Sequence, residues 1–89
     1  MNPSTDVHKK QKVYEKIDMI TTLISDNINI VKRSGTTNFD ISDYQLDSKL
    51  VFNIKAAIAA TDIIQDDDLK SLNKLYKKHQ QLNKIFTER

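Results

Sequence analysis

Two histidines, a run of three aspartates and a lysine-studded C-terminal segment come nearest to supporting chemistry in this 89-residue chain. His79 falls inside an apolar series, Leu69, Leu72, Leu75, Tyr76, His79, Leu82 and Phe86, with Tyr76 and Asn83 about one turn away. A histidine so placed reads first as a core or interface residue satisfied by a hydroxyl or carbonyl. The sharper reading is a pH-sensitive interface switch. His8 stands beside Lys9 and Lys10 and reads as a solvated side chain.

The carboxylates do not assemble into a metal site. Asp66, Asp67 and Asp68 are adjacent, and neighbours on a helix point in different directions, so the three do not converge. They suit the start of a helix, where Asp66 can cap and the others favour the positive end of the dipole. Asn38, Asp40 and Ser42 echo the alternating oxygens of a calcium loop. Asp43 then replaces the required glycine, and Lys49 stands where the bidentate glutamate belongs. The chain has no cysteine, hence no disulfide, thiolate nucleophile or cysteine-ligated zinc. Its single glycine, Gly35, rules out a glycine-rich phosphate loop, and no hydrolase, zinc-protease or kinase signature is present. The expectation is a protein that is not an enzyme, with no cofactor, metal or small-molecule substrate.

Binding remains. Lys70, Lys74, Lys77, Lys78 and Lys84 lie opposite Leu72, His79 and Phe86 on a helical projection. Such a face is ordinarily just the solvated side of a bundle helix, but lysines can also contact phosphates without reading sequence. Nucleic-acid binding is therefore the second functional reading, and the scarcity of arginine argues against base recognition.

Residues 43–64 support the first reading. At about 100° per residue, Leu46, Leu50, Ile54, Ala57, Thr61 and Ile64 form one stripe. Phe52, Ala56, Ala59 and Ile63 form another on roughly the opposite side. The first stripe is expected to bury against the other helices. The second is expected to meet a protein partner or a second copy in a homodimer, unless the loop and N-terminal arm cover it. Asn27 and Asn53 are candidates for register-setting polar residues in a helical seam.

The elements that would position these groups are helical. Leu, Ile, Val and Phe supply 25 of the 89 residues, above the level of roughly 20% below which chains stay disordered. With Gly35 and Pro3 alone of their kinds, the turns of an all-β domain cannot be made. Residues 1–7 read as a frayed tail and residues 8–89 as a single helical domain. The first helix is expected from Val7 to Arg33, on Val13, Ile17, Ile20, Ile24, Ile28 and Val31, with Gly35 as its stop. Phe39 and Ile41 should fold back onto the core. Ser42 and Gln45 suggest a capping box, so helix two should run from Asp43 to about Gln65, and helix three should follow a turn near Asp66. The fold class is all-α, a small three-helix bundle, or a long helical hairpin if helices two and three are continuous. No apolar run approaches the roughly 18 residues of a membrane span, Asp18 and Asp26 interrupt any signal-like segment, and a cytoplasmic location is the default expectation.

Overall fold

The structure, a computed structural model, describes residues 3–35 and 40–88, with side chains from His8 onward. It contains α1 (Pro3–Ser34), α2 (Ile41–Thr61) and α3 (Asp66–Thr87). The chain is an all-α three-helix bundle, running up, down and up within 51 × 22 × 17 Å.

Local chemistry sets the boundaries. α1 opens on Pro3, four residues ahead of the Val7 start expected; proline suits a first helical position because its missing N–H has no partner there anyway. Lys32 and Arg33 occupy the last turn, and Gly35 follows at φ +65°, a left-handed conformation that glycine adopts without strain. Asp40, not Ser42, caps α2: its carboxylate accepts the Ser42 N–H at 2.9 Å. α2 then stops at Thr61, short of Gln65. Asp62 takes φ 57° and donates its N–H to the Ile58 carbonyl at 2.8 Å. That left-handed residue, which aspartate tolerates better than most, breaks the path, so α2 and α3 are separate helices and not one continuous rod. Gln65 takes the N-cap position of α3 without a side-chain bond. The three aspartates therefore act only through the dipole at its first turn.

α1 is the central helix. It packs along both α2 and α3, while α2 and α3 meet each other over a much shorter stretch. The core comprises Val13, Ile17, Ile20, Ile24 and Val31 from α1, Tyr44, Val51, Ile54 and Ile58 from α2, and Leu72 and Leu75 from α3. Ile28 and Ile41 pack half-buried at its edge; Phe39 lies outside the described residues.

The stripe expected to bury α2 was mis-phased. Of its members only Ile54 is buried and Ile64 half-buried; Leu46 (63% exposed), Leu50 (42%), Ala57 and Thr61 face outward. The line that packs is Tyr44, Asp47, Val51, Ile54 and Ile58, alternating steps of three and four in the manner of a heptad seam. Asp47 sits on that seam and disguises it. α1 repeats the pattern through Ile20, Ile24, Asn27 and Val31, and α3 through Leu72, Leu75, His79 and Leu82. Each helix thus places one polar residue on its seam, and the three meet.

Candidate functional site

Asn27 and His79 are both 0% exposed. The Asn27 amide nitrogen donates to the His79 carbonyl at 3.0 Å and lies 3.2 Å from His79 Nδ1. Its oxygen accepts from Asn83 Nδ2 at 3.1 Å. His79 Nε2 lies 2.8 Å from Asp47 Oδ2, which also accepts from Lys78 Nζ at 2.7 Å. One network therefore joins all three helices.

The network also selects a tautomer. The His79 carbonyl can only accept, so it fixes the NH2 end of Asn27 toward itself. The second amide hydrogen then points at Nδ1, which must present its lone pair, leaving Nε2–H to donate to Asp47. Turning the amide round would set two carbonyl oxygens together. Every polar atom of Asn27 and both ring nitrogens of His79 find partners, which offsets the cost of removing them from water.

Partial burial by itself would raise the Asp47 carboxyl, but the hydrogen bonds from Lys78 and His79, with the ammonium charge of Lys78, outweigh it. Asp47 consequently lies below the usual aspartate range. Tyr44 packs edge-on against His79, ring centroids 5.4 Å apart at 79°. Its hydroxyl is buried with no hydrogen-bond partner among the described residues. Burial pushes that phenol upward, and the charges of Asp43 and Asp47 push the same way.

An aspartate–histidine pair is a familiar acid–base unit, but this one is sealed. Both imidazole nitrogens are occupied and the ring has no exposed surface, so no solute can reach it. The expected hydroxyl or carbonyl partner of His79 is instead a carboxylate and an amide. Among the described residues no group of three or more histidines and carboxylates could hold a metal ion. His8 is exposed on α1.

The predicted surface groups separate clearly. Phe52 is 70% exposed on α2, with Ala56 and Ala59 exposed beyond it; Ile63, expected on the same stripe, is 61% exposed but lies past the end of α2, where the left-handed Asp62 has broken the helical path, so helical spacing does not place it on that face. Among the described residues nothing covers the Phe52 side; loop residues 36–39 and the side chains before His8, expected as its cover, lie outside them. Asn53 points outward too, so of the two seam asparagines only Asn27 is structural. On α3, Lys70, Lys74 and Lys77 are exposed and make no ion pair among the described residues. Lys78 is held by Asp47, and Lys84 lies 3.9 Å from Glu88. A shallow, mostly apolar groove of ≈ 390 Å³ lies between α1 and α3, lined by Met19, Leu23 and Tyr76 with Asp18, Thr22 and Gln80 at its edges.

Sequence reasoning found the exposed face and missed the network. The signal for the network was available: Asn27, Asp47 and His79 each fall on a heptad position, and polar residues at such positions on different helices are expected to meet. Among the described residues no helix is long and apolar enough to cross a membrane. Set against known protein families, characterised proteins and solved structures, the chain matches none of them, so a functional reading must rest on its own geometry.

Proposed function

We propose that this protein is a non-catalytic helical interaction module, acting by occupancy through the outward face of α2, where it binds another protein or itself. The observation that carries the reading is the exposure of Phe52 on α2, beside the exposed alanines at 56 and 59, with Ile63 exposed in the turn just beyond the helix end. A large apolar anchor beside alanines lets a partner backbone approach closely and offers a side chain to fill its pocket. Burying Phe52 and Ile63 would contribute roughly 3 to 6 kcal/mol before the costs of association. Left in water, the same patch invites aggregation. The buried network supports this role indirectly, because it holds α2 in one register against the rest of the bundle and so keeps the outward face in a fixed orientation.

Phe52→Glu tests the reading. The substitution touches no core residue, so the variant should keep its helical circular dichroism and its thermal transition while losing association with the partner. Unfolding would show instead that Phe52 belongs to the core, and the reading would fall.

A further inference from the structure

The network of Asn27, His79 and Asp47 is complete for a neutral imidazole and for no other charge state. Nε2 donates to Asp47 Oδ2 across 2.8 Å, and the lone pair of Nδ1 faces the Asn27 amide nitrogen at 3.2 Å. A second proton on the ring can go only to Nδ1. Two N–H donors would then meet at that distance, one of them carrying part of a positive charge. The imidazole has no exposed surface, so water cannot come between them. Flipping the ring is no escape, because it would withdraw Nε2–H from Asp47.

We infer that His79 is a proton-operated latch: a proton on its ring reverses the side-chain amide of Asn27, Asn27 reverses that of Asn83, and proton uptake in the core is read out at the surface. The latch operates whether or not α2 binds a partner. Turned about, Asn27 places its oxygen where its nitrogen stood and accepts from the new Nδ1–H. That bond is charge-assisted and about twice as strong as a neutral one. The cost falls on the His79 carbonyl, which loses its Asn27 donor at 3.0 Å and faces an oxygen instead, while keeping its bond within α3. One strong bond gained outweighs one neutral bond lost. The Asn27 nitrogen now points at Asn83 Nδ2, which donated to the Asn27 oxygen at 3.1 Å before the reversal. Asn83 is half-buried and can turn at the surface, so its own oxygen takes the inner place. Both arrangements tie α1 to α3, with donors and acceptors exchanged, and a single proton biases the choice between them.

The groups around the ring suit either state. From α2 the Asp47 carboxylate is in direct contact, and the Tyr44 phenol stands edge-on with ring centroids 5.4 Å apart. From α3, Lys78 reaches the same carboxylate at 2.7 Å and opposes a charge on the imidazole. From α1 comes the uncharged Asn27, whose neighbour Asp26 is exposed. Asp47 lies below the usual aspartate range, so the counter-ion stays in place where imidazoles ordinarily titrate. The proton reaches Nδ1 during brief local opening of the bundle. At the surface Asn83 borders a polar groove with Gln80, Gln81, Lys84 and Thr87. With the ring neutral, Asn83 turns its NH2 inward and offers the groove an acceptor. With the ring protonated, it offers the groove a donor.

Nitrogen-15 NMR of the full chain tests the latch in the wild type. At neutral pH the His79 ring should carry its proton on Nε2. As pH falls Nδ1 should gain a proton, and the side-chain NH2 signals of Asn27 and Asn83 should shift with the same midpoint as the ring. The exposed His8 supplies the control, since His8→Gln should leave both amide titrations unchanged. Asn27→Leu should abolish the Asn83 shift altogether, because the relay has lost its middle member. A proton on Nδ1 at neutral pH would overturn the latch, as would amide signals that stay fixed while the ring titrates. Amide shifts that vanish in His8→Gln, or an Asn83 shift that persists in Asn27→Leu, would overturn the relay. Acid unfolding, followed by far-UV circular dichroism, that precedes proton uptake by His79 would overturn both.

Discussion

Replacing Asn27 by leucine keeps the branching and heavy-atom count of the side chain, at a larger volume, and deletes every hydrogen bond it makes. Three contacts disappear: one to the His79 carbonyl at 3.0 Å, one to His79 Nδ1 at 3.2 Å, and one from Asn83 at 3.1 Å. They are not equally costly. The carbonyl keeps its bond within α3, and Asn83, only half-buried, can turn to water. Nδ1 is left as an orphan, because His79 has no exposed surface. A tautomer change does not rescue it, since Nε2 would then present a lone pair to the Asp47 carboxylate 2.8 Å away. An unsatisfied buried polar group costs about 1–3 kcal/mol, so Asn27→Leu should lose about 2 kcal/mol. For a domain of this size that corresponds to roughly 8–16 °C in Tm. Removing both partners should behave differently. In Asn27→Leu with His79→Leu the orphaned ring nitrogen is gone and Asp47 keeps its bond from Lys78, so much of the lost stability should return. Urea unfolding followed by far-UV circular dichroism measures all four corners of the cycle. The reasoning is refuted if Asn27→Leu is as stable as wild type, or if the two substitutions simply add with a coupling below about 0.5 kcal/mol.

Other expectations follow from the same geometry. The Tyr44 hydroxyl is buried without a partner, so Tyr44→Phe should be neutral or stabilising by up to about 1 kcal/mol in thermal melts; a clear loss would mean the hydroxyl is bonded. Asp47 titrates below the ordinary aspartate value. Its stabilisation is therefore complete above about pH 4, the unfolded-state value, and drains away as pH falls through the lower folded value. Melting temperature measured against pH should fall less steeply on the acid side in Asp47→Asn than in wild type; an unchanged slope would count against the pairing with Lys78 and His79. Lys74→Glu with Lys77→Glu should leave mass and melting behaviour unchanged, because both lysines are exposed and unpaired among the described residues. Salt-sensitive retention on nucleic acid that this pair abolishes would instead favour a phosphate-binding role for α3.

Much of this architecture was legible in the residues themselves. The scarcity of glycine and proline, with apolar residues at helical spacing, required helices, and Gly35 and the aspartates at 66–68 marked two of the boundaries. Those signals are local, set by backbone freedom and by the dipole within a turn or so, and local signals can be read without a fold. The alternating steps of α1 from Val13 to Ile24 likewise named its buried side, because no polar residue interrupts them.

Which side of α2 is buried could not be read in the same way. Leu46, Leu50, Phe52 and Ile63 are as apolar as Val51 and Ile58, so hydropathy alone offered three competing faces. The choice was made by Asp47, a residue that hydropathy places at the surface. It tolerates its position because Lys78 and His79 arrive from α3, and His79 is tolerated because Asn27 arrives from α1. Such compensation exists only between helices. A single sequence can place each polar residue on a seam, but whether a buried donor meets an acceptor depends on a relative register that only the packed bundle defines. The same packing decided that Phe52 and its neighbouring alanines would be left facing water, and with them the surface on which the proposed function depends.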